Sequence, residues 1–242
     1  MCGIIGFCGP NSPETRKLLA NLIKESTYRG KHSTGLVSFN GDSLDLHHLT
    51  PEHPCYGVPL EESLMWMTMG VATLCVIAHT RYCTSDPASP LPIVDQDLAI
   101  VLNGVITQEP LENWDTYGPL PYTTRNDAEI ALRLSRLGRV NETPGSYAMC
   151  FLGNKGTISG VRSPERPLWC HSFRWGKDVA HVFTSTLDIA VRADQSNARV
   201  ASQELKPGGL VTLQEGKCCA QWPTSPDLQI RALNPKVVPC NL

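Results

Sequence analysis

Long apolar runs are missing from this sequence. The longest, residues 71–78, falls far short of the ~18 residues that a membrane-spanning helix needs. A basic-then-apolar leader is missing as well, so the expectation is a cytoplasmic protein with no membrane contact. Charge imbalance is absent: Lys+Arg 21 against Asp+Glu 23 leave −2. That excludes an electrostatic case for nucleic acid or an anionic surface. Metal-ligand spacing is absent too. The ten cysteines, at positions 2, 8, 55, 75, 83, 150, 170, 218, 219 and 240, form no C-x-x-C pair and no Cys/His cluster at zinc spacing. Cys75 and Cys150 stand inside apolar strand-like runs, which fits buried, reduced thiols in a reducing compartment. Neither a metal nor a cofactor is expected. There is no internal repeat and no low-complexity segment. At 242 residues, 41% of them hydrophobic, the chain can bury a sizeable core as one large domain or two small ones.

Local signals then place the elements. Ser12-Pro13-Glu14 reads as a helix start, with an N-cap, a proline at the first helical position and an acid in the first turn. Leu18, Leu19, Leu22 and Ile23 give that helix one apolar face, and Gly30 lies past its end. Residues 60–69 are a candidate second helix. Asn126-Asp127-Ala128-Glu129 has a capping-box layout, with Glu129 expected to reach back to the cap, and Ile130, Leu134 and Leu137 follow as a core stripe. Residues 74–79 and 98–102 are continuous apolar runs of strand length, as expected of strands covered on both faces. Strands are also predicted at 36–39, 44–48, 147–152, 157–161, 168–173, 179–185 and 210–213, separated by Gly- and Pro-bearing turns. Buried strands in both halves with few helices predict a layered α+β sandwich. Residues 1–215 are expected to form the domain, with 216–242 a tail packed on it or at an interface.

Five short motifs carry the chemistry. Cys2-Gly3-Ile4-Ile5-Gly6 follows Met1. With Met1 removed, Cys2 holds a thiol beside a free α-amine, whose pKa of about 7.7–8.0 suits a general base. The alternative is a small apolar residue entering a buried strand. Tyr28-Arg29-Gly30-Lys31-His32-Ser33-Thr34-Gly35 feeds a strand. Ala78-His79-Thr80-Arg81-Tyr82-Cys83-Thr84 closes one, Leu102-Asn103-Gly104 closes another, and Asp127 opens a helix.

In order and spelling these motifs resemble the glutaminase domain of the class II, N-terminal-nucleophile glutamine amidotransferases. That family shows C-G-I-x-G, R-G-x-D-S-x-G, G-H-T-R-W-A-T, a strand ending N-G, and D-T-E opening a helix. The resemblance runs from Cys2 to about Leu213 and includes Gly145-Ser146-Tyr147 and Pro207-Gly208-Gly209. It implies a four-layer αββα Ntn-hydrolase-like sandwich, L-glutamine as substrate, Cys2 as nucleophile, and Asn103 and Gly104 as oxyanion donors. Arg81 offers a planar fork for the substrate carboxylate, and Asp127 a counter-ion for its ammonium group. Arg29 and Thr84 would line the pocket. Each residue also has a plainer reading: a structural ion pair for Arg81, a dipole-stabilised carboxylate for Asp127, a strand-ending turn for Asn103-Gly104.

The sequence departs from the family at His32 for Asp, Tyr82 for Trp, Cys83 for Ala, Ser85 for His and Leu102 for His. These changes bear on substrate selectivity and pocket closure. They keep a second expectation open, hydrolysis of another γ-glutamyl amide, beside a third, a silent amino-acid-binding regulatory module. The family usually joins this domain to a synthase. The expectation here is a stand-alone glutaminase that delivers ammonia to a separate acceptor protein, with a homo-oligomer among the expected assemblies.

Overall fold

The computed structural model describes residues 2–49, 60–81, 91–118, 121–214, 217–221 and 238–239. In chain order the first half holds β1 (Gly3–Pro10), α1 (Pro13–Ser26), β2 (Ser33–Phe39), β3 (Leu44–Leu49), α2 (Leu60–Met67), β4 (Thr73–Arg81), β5 (Ile93–Asp95), β6 (Leu98–Val105) and α3 (Ala128–Arg136). The second half holds β7 (Ser146–Gly153), β8 (Ile158–Arg162), β9 (Trp169–Trp175), β10 (Asp178–Thr184), α4 (Leu187–Ala193), β11 (Arg199–Glu204), β12 (Leu210–Gln214), β13 (Lys217–Gln221) and β14 (Val238–Pro239). Short 3-10 helices cover Leu111–Tyr117 and Val140–Glu142.

The strands form two sheets, one in the order β11-β9-β10-β1-β4-β2-β3 and the other β14-β13-β12-β8-β7-β6-β5. Three apolar clusters separate four layers. Ile5, Phe7, Val76 and Ala78 of the first sheet pack against Leu18, Leu19, Leu22 and Ile23 of α1, Leu64 of α2 and Ile189 of α4. Ile4, Cys8, Cys75 and Ile77 face Ala99, Val101, Ala148 and Cys150 of the second sheet. Ile100, Leu102 and Met149 pack outward against Ile130 and Leu134 of α3, and against Trp114. This is the αββα sandwich, and it arises from strand pleating: alternate residues of β1, β4 and β6 fill two different apolar layers.

The sequence signals act locally as expected at α1. The Ser12 side chain accepts from Thr15 N, and Thr15 Oγ1 returns a bond to the Ser12 backbone. At α3 the structure corrects the expected capping box. Asn126 Oδ1 accepts from Ala128 N, but the Glu129 carboxylate turns away from the cap. It accepts from Thr123 N, Thr124 N and both threonine hydroxyls, and pairs with Arg133 at 3.0 Å. Four donors from the preceding loop and a cation one turn along the same helix outcompete a single cap N–H. Beyond β12 the second sheet continues into β13, which pairs with β12 and β14. Among the described residues no helix is long and apolar enough to cross a membrane.

Candidate active site

Pleat parity places the candidate residues at one end of the layer between the sheets. On β1, Ile4 and Cys8 face that layer while Ile5 and Phe7 face the helices, and Cys2 shares the parity of Ile4. On β4, Cys75 and Ile77 face the layer, and His79 and Arg81 follow in the same phase. On β6, Ala99 and Val101 face it, and Asn103 follows them. β1 and β4 pair with Gly3 opposite Thr80 and Ile4 opposite His79. From β4, His79 Nε2 lies 3.0 Å from the Leu102 carbonyl oxygen of β6. That contact ties the start of β1, the end of β4 and the end of β6 to the same edge of the sandwich.

The approach to Cys2 is tightly built. A Cβ on Gly3 would overlap Ser26 Oγ and Thr80 Oγ1, so only glycine lets the strand pass there. Those two hydroxyls stand 2.6 Å apart, and Thr80 Oγ1 donates to the Ser26 carbonyl at 2.8 Å. Arg29 Nε donates to the Cys2 carbonyl at 3.1 Å. Burial lowers the Arg29 pKa, against the nearby charges of Asp188 and Cys2, which raise it. Ile4 N donates to Ser185 Oγ at 2.6 Å. Cys2 itself is half-buried and unbonded to another cysteine.

Opposite stand two donors at the end of β6. The Asn103 side chain is 3% exposed, and its Nδ2 has no hydrogen-bond partner among the described residues. Gly104 has φ +152 and lies against the Ser146 carbonyl of β7, where a Cβ would overlap the oxygen.

Arg81 ends β4 and is buried; its carbonyl accepts from His32 N at 3.0 Å. Asp127 stands at the N-cap of α3 without a side-chain bond to the helix. Instead its Oδ2 accepts from Ile106 N at 2.6 Å and Thr107 N at 3.3 Å, just past Gly104. Burial pushes the Asp127 pKa up, against these backbone bonds. Cys2, Arg29, Arg81, Asn103 and Gly104 thus gather at one edge, and Asp127 joins through the loop after β6. Thr84, with Tyr82, Cys83 and Ser85, lies outside the described residues.

Sequence reasoning named His79 and Thr80 only as members of their motif and did not single out Ser26 or Ser185. The signal for His79 was available in its parity: a polar residue in phase with Cys75 and Ile77 must reach into the intersheet layer.

No family model matches the chain. Among curated proteins it is 29% identical over 177 residues to the glutamine–fructose-6-phosphate aminotransferase (isomerizing) of Chlorobaculum tepidum, covering 64% of this chain and 28% of that protein. A Helicobacter pylori protein of the same name is 31% identical over 109 residues, 44% of this chain and 17% of that protein. The matched stretches thus span less than a third of these relatives. Among solved structures, the fold matches the Bacillus subtilis glutamine phosphoribosylpyrophosphate amidotransferase with a TM-score of 0.62 at 20% identity, over 91% of this chain and 49% of that one.

Proposed function

We propose that the chain, similar in sequence to parts of two glutamine–fructose-6-phosphate aminotransferases and in fold to a glutamine phosphoribosylpyrophosphate amidotransferase, is a class II, N-terminal-nucleophile glutamine amidotransferase domain that hydrolyses the side-chain amide of glutamine through a Cys2 thioester. With Met1 removed, the α-amine of Cys2 takes the thiol proton. The sulfur then attacks the amide carbon, and the carbonyl oxygen becomes an oxyanion facing Asn103 Nδ2–H and Gly104 N–H. As the C–N bond breaks, the terminal ammonium returns its proton to the departing ammonia. Water then attacks the thioester, releasing glutamate and restoring the thiol. Arg81 holds the substrate carboxylate, Asp127 its ammonium group, and Arg29 anchors the nucleophile's own carbonyl.

One observation carries this reading: the Asn103 amide is buried with no partner for Nδ2 among the described residues. Leaving such a donor unsatisfied costs about 1–3 kcal/mol, and such groups ask for an explanation. A developing oxyanion supplies the missing acceptor. The test is steady-state glutamate release by Asn103→Ala. The expected loss is about 10²–10³-fold in kcat with KM little changed, and an undiminished kcat would refute the assignment.

The proposal extends to a stand-alone glutaminase whose ammonia passes to an acceptor on a separate chain. The relatives this chain resembles are named for transfer to fructose-6-phosphate, a step that consumes the amide nitrogen released at a site of this kind. Full turnover in isolation, with no protein co-purifying, would count against it.

A further inference from the structure

His79 belongs to none of the roles assigned so far, yet it makes the hydrogen bond that crosses from one sheet to the other beside the oxyanion donors. It is 1% exposed, and its phase on β4 is that of Cys75 and Ile77, which fill the intersheet layer with Ile4 and Val101. Burial, with Arg81 adding to it, pushes its pKa down to about 3, so the ring is neutral and carries one N–H. Because the Leu102 carbonyl can only accept, that hydrogen sits on Nε2. Nδ1 is then a bare acceptor, and it has no partner among the described residues. An apolar side chain would fill the same space without stranding a polar atom. What the histidine supplies in exchange is a directional bond to the residue before Asn103.

We propose that His79 is a positioning residue for the oxyanion donors, fixing through the Leu102 carbonyl the height at which the Asn103 amide and the Gly104 N–H stand above the first sheet. Sheets packed face to face lie about 10 Å apart, and apolar contact alone leaves that spacing free to slide. The lateral position of the β6 end is set by β7, with Gly104 opposite Tyr147 and stopped by the Ser146 carbonyl. The remaining direction, toward Cys2, is set by the bond from His79, whose strand pairs residue for residue with β1. Donors work on a transition state only when held in place beforehand, and a misplacement of about 1 Å can remove about 10²-fold in rate.

This inference rests on the reading of Asn103 and Gly104 as oxyanion donors, and its test separates the two. His79→Gln keeps an N–H where Nε2 stood, whereas His79→Asn ends one bond short of the Leu102 oxygen. His79→Leu removes the donor at similar volume. With glutamine, His79→Leu and His79→Asn are expected to lose about 10²-fold in kcat with KM within about twofold, while His79→Gln returns to within about tenfold of the parent. Alkylation of Cys2, located by peptide mass, should proceed at the parental rate in all three. In parallel, NMR of the Asn103 side-chain amide and the Gly104 amide should show both resonances displaced in His79→Asn and restored in His79→Gln. Equal kcat and equal resonances in the Gln and Asn variants would overturn the inference. If the parent chain releases no glutamate, the glutaminase reading fails, and the resonances alone decide whether His79 positions the end of β6.

Discussion

Replacing Gly104 with alanine sets two strands against each other at the proposed oxyanion site. The new Cβ would overlap the Ser146 carbonyl oxygen, and would lie 2.8 Å from Tyr147 Cα and 3.0 Å from the Ser146 carbonyl carbon. All three are backbone atoms of the paired strand β7, so no rotamer change relieves them. Overpacking of this kind costs about 1–3 kcal/mol, and a non-glycine residue at φ +152 adds about 1–3 kcal/mol of strain. A combined loss of about 2–6 kcal/mol is a large part of the ~5–15 kcal/mol by which domains are stable. At about 2–4 °C per kcal/mol for a chain of this size, the melting midpoint should fall by roughly 4–24 °C. Should the end of β6 peel away instead, less stability is lost, but Asn103 and the 104 N–H move and kcat falls. Gly41→Ala is the control: its φ is +107 with open space around it, so strain acts there without a clash, far from the site. Thermal unfolding and glutamate release are measured on both. If Gly104→Ala matches Gly41→Ala in midpoint and in turnover, the reasoning about this strand end is wrong.

Other consequences follow from particular bonds. Arg29→Gln removes the charged donor to the Cys2 carbonyl and should lower kcat for glutamine by about 10-fold or more through loss of alignment, with the melting midpoint nearly unchanged. Glu129→Gln should cost about 3 kcal/mol in denaturant unfolding, because a carboxylate 1% exposed loses its pairing with Arg133 and its charge-assisted bonds to Thr123 and Thr124. Burial raises the Glu129 pKa, but these bonds prevail and hold it below the usual range. Its contribution is therefore present above the unfolded pKa and lost as pH falls through the folded one, and Glu129→Gln should flatten that acid limb. His79 and His171 are both pushed down to about 3, by burial and then by Arg81 and Arg199 respectively. Between about pH 6 and 3 the unfolded chain binds the protons that the folded chain refuses, so stability falls with falling pH, by about 1.4 kcal/mol per unit for each histidine. Unfolding measured between pH 6 and 5, above the carboxylate range, should lose about half of that slope in His171→Gln.

Much of the fold was legible because its signals are local. Ser12 and Pro13 start α1 where the capping chemistry requires. The uninterrupted apolar runs of β4 and β6 are buried on both faces, because one face meets the opposite sheet and the other meets helices. Less legible was whatever depends on a distant partner. The seven-residue α4 and the strand β11 carry little periodicity, and their positions are set by packing on α1 and pairing with β9. Glu129 looked like a capping residue, yet its partners lie in the loop before the helix. At the site, residue types and order identified Cys2, Arg81, Asn103 and Asp127 as candidates. What they touch was not readable: the Arg29 bond to Cys2, the Asp127 bonds to Ile106 and Thr107, and the His79 bridge all join residues twenty or more positions apart.

The most direct test of the central claim is a mass measurement on the purified protein after exposure to a diazoketone analogue of glutamine. The account predicts that Met1 is absent, that one equivalent of the analogue is attached to the sulfur of Cys2, and that excess glutamine slows the attachment. Retention of Met1, or labelling that spares Cys2 and falls on another thiol, would contradict it.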